Sequence, residues 1–214
     1  MESAEARMSD SNEVAKLAYL LDRQAILDCL IRVSRGIDRF DRELYLSAFH
    51  SDAVIDAGAL VGGPEEAYDK GAELHAHGQT STLHSLLNHS CDMEGDSAHA
   101  ETHFLFMGRN RDETNWAAGG RYIDRLERRD GKWKIAFRCT IVEWSSMIPD
   151  AAVPLFDNVP DLHENGASSR SKDDPSYRRP LTNRRNRSSP TDVRKLSEPR
   201  SRSNGPLIRK REMA

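Results

Sequence analysis

Long apolar runs are absent from this 214-residue chain. None approaches the roughly 20 consecutive apolar residues that a membrane-spanning helix needs. The first residues, MESAEARMSDSNEV, have neither a basic segment nor an apolar stretch, so they do not resemble a secretory signal. We therefore expect no membrane span and no secretion.

Cysteine is scarce, with three residues at Cys29, Cys91 and Cys139. Their spacing matches no zinc-binding pattern, and an odd number argues against a complete disulfide framework. Because each lies among apolar residues, we expect buried, reduced thiols in a cytoplasmic protein. A cluster of metal ligands and a glycine-rich phosphate loop are also missing, so the sequence implies neither a metal nor an organic cofactor.

Charge is unevenly distributed, although the net charge is only −3. From Ala167 onward there are 14 Lys and Arg against 5 Asp and Glu, and the preceding part has 17 against 29. This asymmetry predicts an acidic folded body with a basic tail. The tail is rich in Ser, Arg, Pro and Asn, lacks apolar periodicity and is nearly free of aromatic residues. We therefore expect disorder there and no specific nucleic-acid binding.

The periodicity of apolar residues predicts the order of the secondary-structure elements. The predicted helices are 12–37, 42–49 and one that begins at Pro64, and the predicted strands are 53–61, 81–93, 98–107, 116–127 and 133–144. This order predicts an α+β fold, in which a strongly curved, antiparallel or mixed sheet closes like a cone over the N-terminal helices. The predicted organisation is a disordered N-terminus at 1–11, one folded domain at 12–148, and an extended, largely disordered tail at 149–214.

Three polar residues lie in segments that should form the core. Asp38 continues the apolar stripe of the first helix through Ile31 and Ser34, His84 lies inside a strand, and Arg138 lies inside the last strand. A carboxylate beside an imidazole fixes its tautomer and stabilises the imidazolium, and a guanidinium stabilises a departing anion. The pattern thus indicates a proton-abstracting site. A surface acid, a core histidine and a solvated arginine are the alternative assignments.

Strict alternation along the strands predicts which side chains share a face. It places His84 and Asn88 on one face and His89 on the opposite face. In the last strand it separates Arg138 from Phe137 without deciding which of them points inward. Four other histidines lie at element ends or in polar context and are predicted at the surface; they are His50, His75, His77 and His163.

Three segments carry a resemblance to a known superfamily. They are RQAILDCLIRVSRGIDRFDRELYLSAFHSDAVID, GGPEEAYDKGAELHAHGQTSTLHSLLNHSCDMEGDSAHAETHF and GGRYIDRLERRDGKWKIAFR. Through them, residues 13–146 resemble the SnoaL-like, nuclear-transport-factor-2-like superfamily. Within it, the chain is most similar to the hexachlorocyclohexane dehydrochlorinase, scytalone dehydratase and bile-acid dehydratase group. Such sequences carry a helix-end aspartate, an H-x-x-x-N strand histidine and an arginine after an RRDGxWK hairpin. The matching residues here are Asp38, His84 with Asn88, and Arg138.

The resemblance implies a cofactor-independent lyase that acts on a small apolar, cyclic or aromatic substrate. In that role His84 takes a proton from carbon, Asp38 orients His84, and Arg138 assists a departing hydroxide or halide. The expected substrate contacts are Phe40, Leu86, Asn88, Trp116 and Phe137. A tyrosine hydroxyl that polarises a substrate carbonyl is not evident from the motifs, and Tyr45 and Tyr122 are the candidates for it. Ile37 stands where scytalone dehydratase has a tyrosine before its helix aspartate.

Self-association as a dimer or trimer is also implied by the resemblance. The same fold hosts several activities. An isomerase or polyketide-type cyclase, and a non-catalytic module that binds small molecules, therefore stay open as alternatives.

Overall fold

The computed structural model describes residues 4–148, 161 and 163–185 of the chain. The helices are α1 (Ala4–Asp38), α2 (Arg42–Leu46) and α3 (Pro64–Gly78). The strands are β1 (Phe49–Asp56), β2 (Val61–Gly62), β3 (Gln79–Glu94), β4 (Ser97–Asn110), β5 (Asn115–Arg129) and β6 (Lys132–Ile148). The first helix thus begins at Ala4 rather than at residue 12. Residues 1–3 and, in the predicted tail, 149–160, 162 and 186–214 lie outside the described residues.

Helix α1 packs its C-terminal half against the sheet. Ile26, Leu30 and Val33, which follow one another three or four residues apart, are buried there. Val14 and Leu17, near the start of the predicted stripe, are instead 68% and 58% exposed. The last turns of α1 therefore belong to the core and can carry a site.

The six strands form one mixed sheet in the order β2-β1-β6-β5-β4-β3. Strands β3 to β6 pair as successive antiparallel hairpins, while β1 pairs parallel to β6. Asp130 and Gly131 both have positive φ in the β5–β6 turn, as an Asp-Gly hairpin requires. The helices and this sheet confirm the predicted α+β fold.

The connection from α2 into β1 differs from its predicted boundaries. Helix α2 ends at Leu46, and strand β1 begins at Phe49 instead of at residue 53. Asp41 caps α2 by accepting a hydrogen bond from the backbone N–H of Leu44. Pro64 occupies the first turn of α3, where its missing N–H has no helical partner to lose.

Two β-bulges change which side chains face the helices. In β3, Leu86 pairs with Phe104 and His89 with Thr102, so β3 has one residue more than β4 between these pairs. In β6, Ile135 pairs with Leu126 but Phe137 pairs with Arg125, so an extra residue stands between them. Each extra residue reverses the alternation beyond it.

Residues 163–185 of the predicted tail pack against the helices. Asp174 is 5% exposed and caps a short 3₁₀ helix, Pro175–Tyr177. The Tyr177 hydroxyl donates to Asp41 Oδ2 at 2.8 Å. Arg170 Nη1 donates to the carbonyls of His75 and Gln79, which lie at the end of α3.

Candidate active site

A cavity of about 330 Å³ lies between the helices and the concave face of the sheet. Its walls are mostly apolar and aromatic, and its polar groups include two histidines, two tyrosines and one arginine. The lining residues include Val33, Ser34, Ile37, Tyr45, Ile55, His75, His84, Phe104, Phe106, Trp116, Tyr122, Arg138 and Thr140. A mainly apolar cavity with few converging polar groups is typical of a small-molecule site.

Asp38 and His84 form a buried pair at this cavity. His84 Nδ1 lies 2.7 Å from Asp38 Oδ1, and the backbone N–H of His84 donates to Asp38 Oδ2 at 2.8 Å. Asp38 is 7% exposed, and an ionised carboxylate only accepts hydrogen bonds. The carboxylate therefore favours the tautomer of His84 that carries its proton on Nδ1. In this neutral ring the lone pair is on Nε2. Among the described residues, Nε2 of His84 has no hydrogen-bond partner.

Gly36 allows the end of α1 to lie where Asp38 meets His84. A Cβ at Gly36 would come within 2.7 Å of the backbone nitrogen of Tyr45, which is closer than real Cβ contacts occur. Helix α2 thus crosses directly over the last turn of α1. The glycine is required here for close approach and not for an unusual φ.

Aromatic rings surround the His84 imidazole on the cavity side. The Phe106 ring lies 4.8 Å from it, and the His75 ring lies 5.6 Å from it in an edge-on arrangement. Phe106 also contacts Trp116, with 4.8 Å between ring centroids. With these rings around it, the His84 side chain is only 13% exposed, and the low local polarity strengthens electrostatic interactions there.

Arg138 reaches the cavity as one half of a buried ion pair. Its Nε and Nη2 donate to the two oxygens of Asp124 at 2.7 and 2.9 Å, and Asp124 is fully buried. Burial alone would lower the pKa of Arg138, but the Asp124 carboxylate outweighs it and holds the pKa above its usual value. Within the described part of the chain, Nη1 of Arg138 has no hydrogen-bond partner. Arg138 thus keeps its charge and a free donor group in a cavity-lining side chain.

Tyr45 and Tyr122 bring two phenol groups to the same wall. Burial raises the pKa of Tyr45 to about 12, and it raises the pKa of Tyr122 further. The Arg138 guanidinium lies over the Tyr122 ring, 4.2 Å from its centroid. Both hydroxyl groups therefore stay protonated near neutral pH and can donate hydrogen bonds.

The predicted substrate contacts divide between the cavity and other places. Trp116, Tyr45 and Tyr122 line the cavity, and Leu86 lines the adjoining opening beside Asp38. Phe137, Asn88 and Phe40 are not among the residues that line the cavity or this opening.

The bulges explain two of these positions. The bulge in β6 puts Arg138 on the inner face and leaves Phe137 36% exposed on the outer face. The bulge in β3 leaves Asn88 exposed and turns His89 inward, where it bonds Thr102. Phe40 follows the helix end with a φ of 52°, and its ring packs under the Arg170 guanidinium.

Two functional residues escaped the sequence reasoning. His75 was predicted at the surface but is 9% exposed and lines the cavity. The signal was present, because His75 continues the α3 stripe of Ala67 and Gly71 at four-residue spacing. Asp124 was missed because no pattern indicated that Arg138 needed a partner.

Two further properties concern metals and membranes. Within residues 4–148, 161 and 163–185, no group of three or more His, Cys, Asp or Glu side chains could hold a metal ion. None of the helices in this part of the chain is long and apolar enough to cross a membrane.

The polar groups of the cavity supply an acceptor at His84, donors at Tyr45, Tyr122 and Arg138, and a positive charge.

The sequence matches the family described as a SnoaL-like domain over residues 18–139. The chain belongs to this family. The match begins in α1 before Asp38 and ends just after Arg138, so it contains all three predicted catalytic residues. No curated protein matches the chain significantly.

Solved structures of the SnoaL-like type share the fold at low sequence identity. A hexachlorocyclohexane dehydrochlorinase, LinA type 2, is 23% identical with a TM-score of 0.60, and the match covers 65% of this chain and 98% of that one. A LinA type 3 enzyme from Novosphingobium barchaimii is 22% identical with a TM-score of 0.59, covering 65% and 99%. A putative scytalone dehydratase from Novosphingobium aromaticivorans is 22% identical with a TM-score of 0.55, covering 63% and 93%. At these identities the likeness establishes the fold alone.

Proposed function

We propose that the protein is a cofactor-independent lyase in which His84 removes a proton from a carbon atom of a small cyclic substrate. The observation that carries the proposal is the two-point contact of the Asp38 carboxylate with the ring and backbone N–H of His84. That contact holds His84 in the tautomer that a general base needs, and His84 lies at an apolar cavity. The family relationship supports the same assignment.

The proton-transfer step uses the His84–Asp38 pair. Nε2 takes the proton, the C–H bonding electrons become the new double bond, and the bond to the leaving group breaks with its electrons on that group. Asp38 stabilises the imidazolium through the Nδ1–H hydrogen bond without itself taking the proton. General-base catalysis of this kind contributes roughly 10²–10⁴-fold in rate.

Positive charge in the wall of the cavity stabilises the departing anion. The Nη1 group of Arg138 supplies positive charge and hydrogen-bond donors, and the Asp124 pair fixes the guanidinium in place. Tyr45 and Tyr122 add neutral donors to the same wall. Groups held in this way need no reorganisation as charge develops, and each contributes on the order of 10²–10³-fold.

The cavity indicates the class of substrate. A volume of about 330 Å³ with mostly apolar walls suits a molecule of one or two rings. Two structural neighbours bear the names of a hexachlorocyclohexane dehydrochlorinase and a putative scytalone dehydratase. From those names we carry over to this chain only the class of reaction, which is elimination from a ring.

The test is an elimination assay on a panel of cyclic alcohols and cyclic halides, with the released water or halide and the alkene measured together. We expect His84→Ala and Asp38→Asn to lose at least about 100-fold in kcat. His89→Ala is the matched control, since His89 faces inward on the same strand but bonds Thr102. Full turnover in either dyad variant would refute the assigned roles.

Return of the proton elsewhere on the substrate, in place of the loss of a leaving group, would make the same site an isomerase or a cyclase. The observation that supports this second candidate is another imidazole in the cavity. The ring of His75 lies 5.6 Å from that of His84. Product analysis separates the two, because an isomerase releases no fragment and its product has the mass of its substrate.

A further inference from the structure

His75 lines the cavity but has no part in the elimination step. Its ring stacks on Phe106, with 5.5 Å between centroids, and it is fixed by a hydrogen bond between Nδ1 and Gln79 Oε1 at 3.1 Å. Gln79 is 7% exposed, so this contact is held inside the protein. A buried, oriented imidazole at a substrate cavity calls for an explanation beyond packing.

A chain of hydrogen bonds determines which nitrogen of His75 carries the proton. It begins at Asp112, whose carboxylate accepts from the Thr114 hydroxyl at 2.7 Å. Thr114 Oγ1 accepts from Asn110 Nδ2 at 3.0 Å, and Asn110 Oδ1 accepts from Gln79 Nε2 at 3.1 Å. Gln79 therefore presents its Oε1 to the ring, and Nδ1 of His75 must be the donor.

The direction of this chain cannot be reversed while Asp112 is ionised, because a carboxylate has no hydrogen to donate. Hydrogen bonds from the Thr114 hydroxyl and backbone N–H lower the pKa of Asp112 below its ordinary value. Rotating either amide would place donor against donor or acceptor against acceptor. The chain thus leaves Nε2 of His75 as a lone pair.

Two imidazoles in one cavity consequently have the same protonation pattern. His84 is held as the Nδ1–H tautomer by Asp38, and His75 is held as the same tautomer by Gln79. Burial lowers the pKa of His75, which favours its neutral form. Among the described residues, Nε2 of His75 has no hydrogen-bond partner. One base is enough for elimination, so the second acceptor is available to bind the substrate.

We propose that His75 is a specificity-determining residue, whose Nε2 accepts a hydrogen bond from a hydroxyl group on a ring substrate. The preferred substrate is then a hydroxylated carbocycle or a phenol. A hydrocarbon ring without a hydroxyl group, or a fully halogenated ring, should bind less tightly. This assignment rests on the proposed function insofar as the cavity ligand is the substrate. A ligand without a hydroxyl leaves Nε2 desolvated and unpaired, which weakens its binding about tenfold.

The experiment compares binding of p-cresol and p-xylene, which differ by one hydroxyl in place of one methyl group. NMR-detected titrations give the ratio of the two dissociation constants for the wild type, His75→Phe and His84→Phe. Every variant binds the same two ligands, so the difference in hydrophobicity between the ligands contributes equally to each ratio. This contribution cancels when the ratios of two variants are compared. We expect His75→Phe to shift the ratio about tenfold toward p-xylene and His84→Phe to retain the wild-type ratio.

The proposal is overturned if His75→Phe retains the wild-type ratio, or if the preference for the hydroxyl disappears only in His84→Phe. Neither result depends on turnover, so failure of this proposal is distinguishable from failure of the elimination assay. An inactive enzyme that still binds p-cresol through His75 would refute the proposed function alone.

A second measurement acts away from the cavity, in case His75→Phe does not fold. Thr114 is half-buried and does not line the cavity, and Thr114→Val breaks the chain between Asp112 and Asn110. Nitrogen-15 NMR of labelled histidine should show the Nδ1–H tautomer of His75 in the wild type, a mixture in Thr114→Val and recovery in Thr114→Ser. The Nε2–H tautomer in the wild type would overturn the proposal.

Discussion

The Asp38 carboxylate binds His84 twice, through the ring Nδ1 at 2.7 Å and through the backbone N–H at 2.8 Å. The backbone bond fixes the position of the carboxylate relative to strand β3, and the ring bond then fixes the imidazole. The pair joins the last residue of α1 to β3, so the packing of a helix on a sheet sets the geometry of the pair.

Close packing at Gly36 should be necessary for this arrangement. We expect Gly36→Ala to lower the free energy of unfolding by roughly 1–3 kcal/mol, because its Cβ would meet the backbone of Tyr45. Gly78→Ala is the matched control, since its added Cβ would have none of the described residues within 4 Å, apart from its neighbours in α3. Urea unfolding followed by circular dichroism measures both. Equal effects of the two substitutions would show that the close contact is unimportant.

The ion pair of Arg138 and Asp124 should be strongly coupled. Asp124→Ala leaves the Arg138 charge buried without a partner, so we expect it to cost about 3–5 kcal/mol of stability. The double variant Asp124→Leu with Arg138→Met should lose less, because it removes both charges. A double variant less stable than Asp124→Ala would contradict the assignment of the pair as a buried charge pair.

Stability should fall as the pH is lowered through the histidine range. Burial lowers the pKa of His50, His75 and His89 below the ordinary value of 6.5. Below pH 6.5 the unfolded chain therefore binds protons that the folded protein does not, until the lowered pKa values are reached. The free energy of unfolding should thus decrease between about pH 7 and about pH 5.

His89 should account for part of this slope, because its Nε2 is buried and has no hydrogen-bond partner among the described residues. We expect His89→Gln to flatten the dependence of unfolding free energy on pH. His77→Gln, at an exposed position, is the control and should leave the slope unchanged. An unchanged slope in His89→Gln would exclude His89 as a source of the pH dependence.

The segment 163–185 should support the end of α3 that carries His75. Arg170 Nη1 donates to the carbonyls of His75 and Gln79 at 3.0 and 2.7 Å, and its guanidinium stacks on Phe40. We expect Arg170→Ala to destabilise the protein by about 1–3 kcal/mol, since these are charge-assisted hydrogen bonds. Arg179→Ala, whose hydrogen bonds stay within its own segment, should have little effect in the same thermal-unfolding assay.

Asp174 provides a second anchor for this segment. Burial alone raises its pKa, and hydrogen bonds from Ser176 and Ser169 outweigh burial and lower the pKa to about 2. Asp174 lies 3.5 Å from Arg39, close to the end of α1. The anchoring contacts of the segment therefore lie beside the ends of α1 and α3.

Much of the fold could be predicted from the sequence because its signals are local. The spacing of apolar residues in the second half of α1, Pro64 at the start of α3 and the Asp130-Gly131 turn each depend on a few neighbouring residues. Asp38 was placed on the inner face by the same local spacing.

The facing of several side chains could not be predicted, because it depends on β-bulges. Strict alternation put Asn88 on the face of His84 and left the facing of Phe137 and Arg138 open, and one extra residue in β3 and one in β6 decide these positions. Nothing in the composition of those strands marks the extra residue. The place of His75 in the cavity and the packing of Arg170 near the same helix end depend on contacts between distant segments. Self-association through the outer face of the sheet stays a prediction.

The tautomer of His84 tests the central claim most directly, because it needs no substrate. Nitrogen-15 NMR of histidine-labelled protein should show His84 protonated on Nδ1 in the wild type, with Nε2 carrying the lone pair. In Asp38→Asn this tautomer should lose its preference, while circular dichroism shows the fold retained. A wild-type His84 protonated on Nε2, or one whose tautomer is unaffected by Asp38→Asn, would contradict the account.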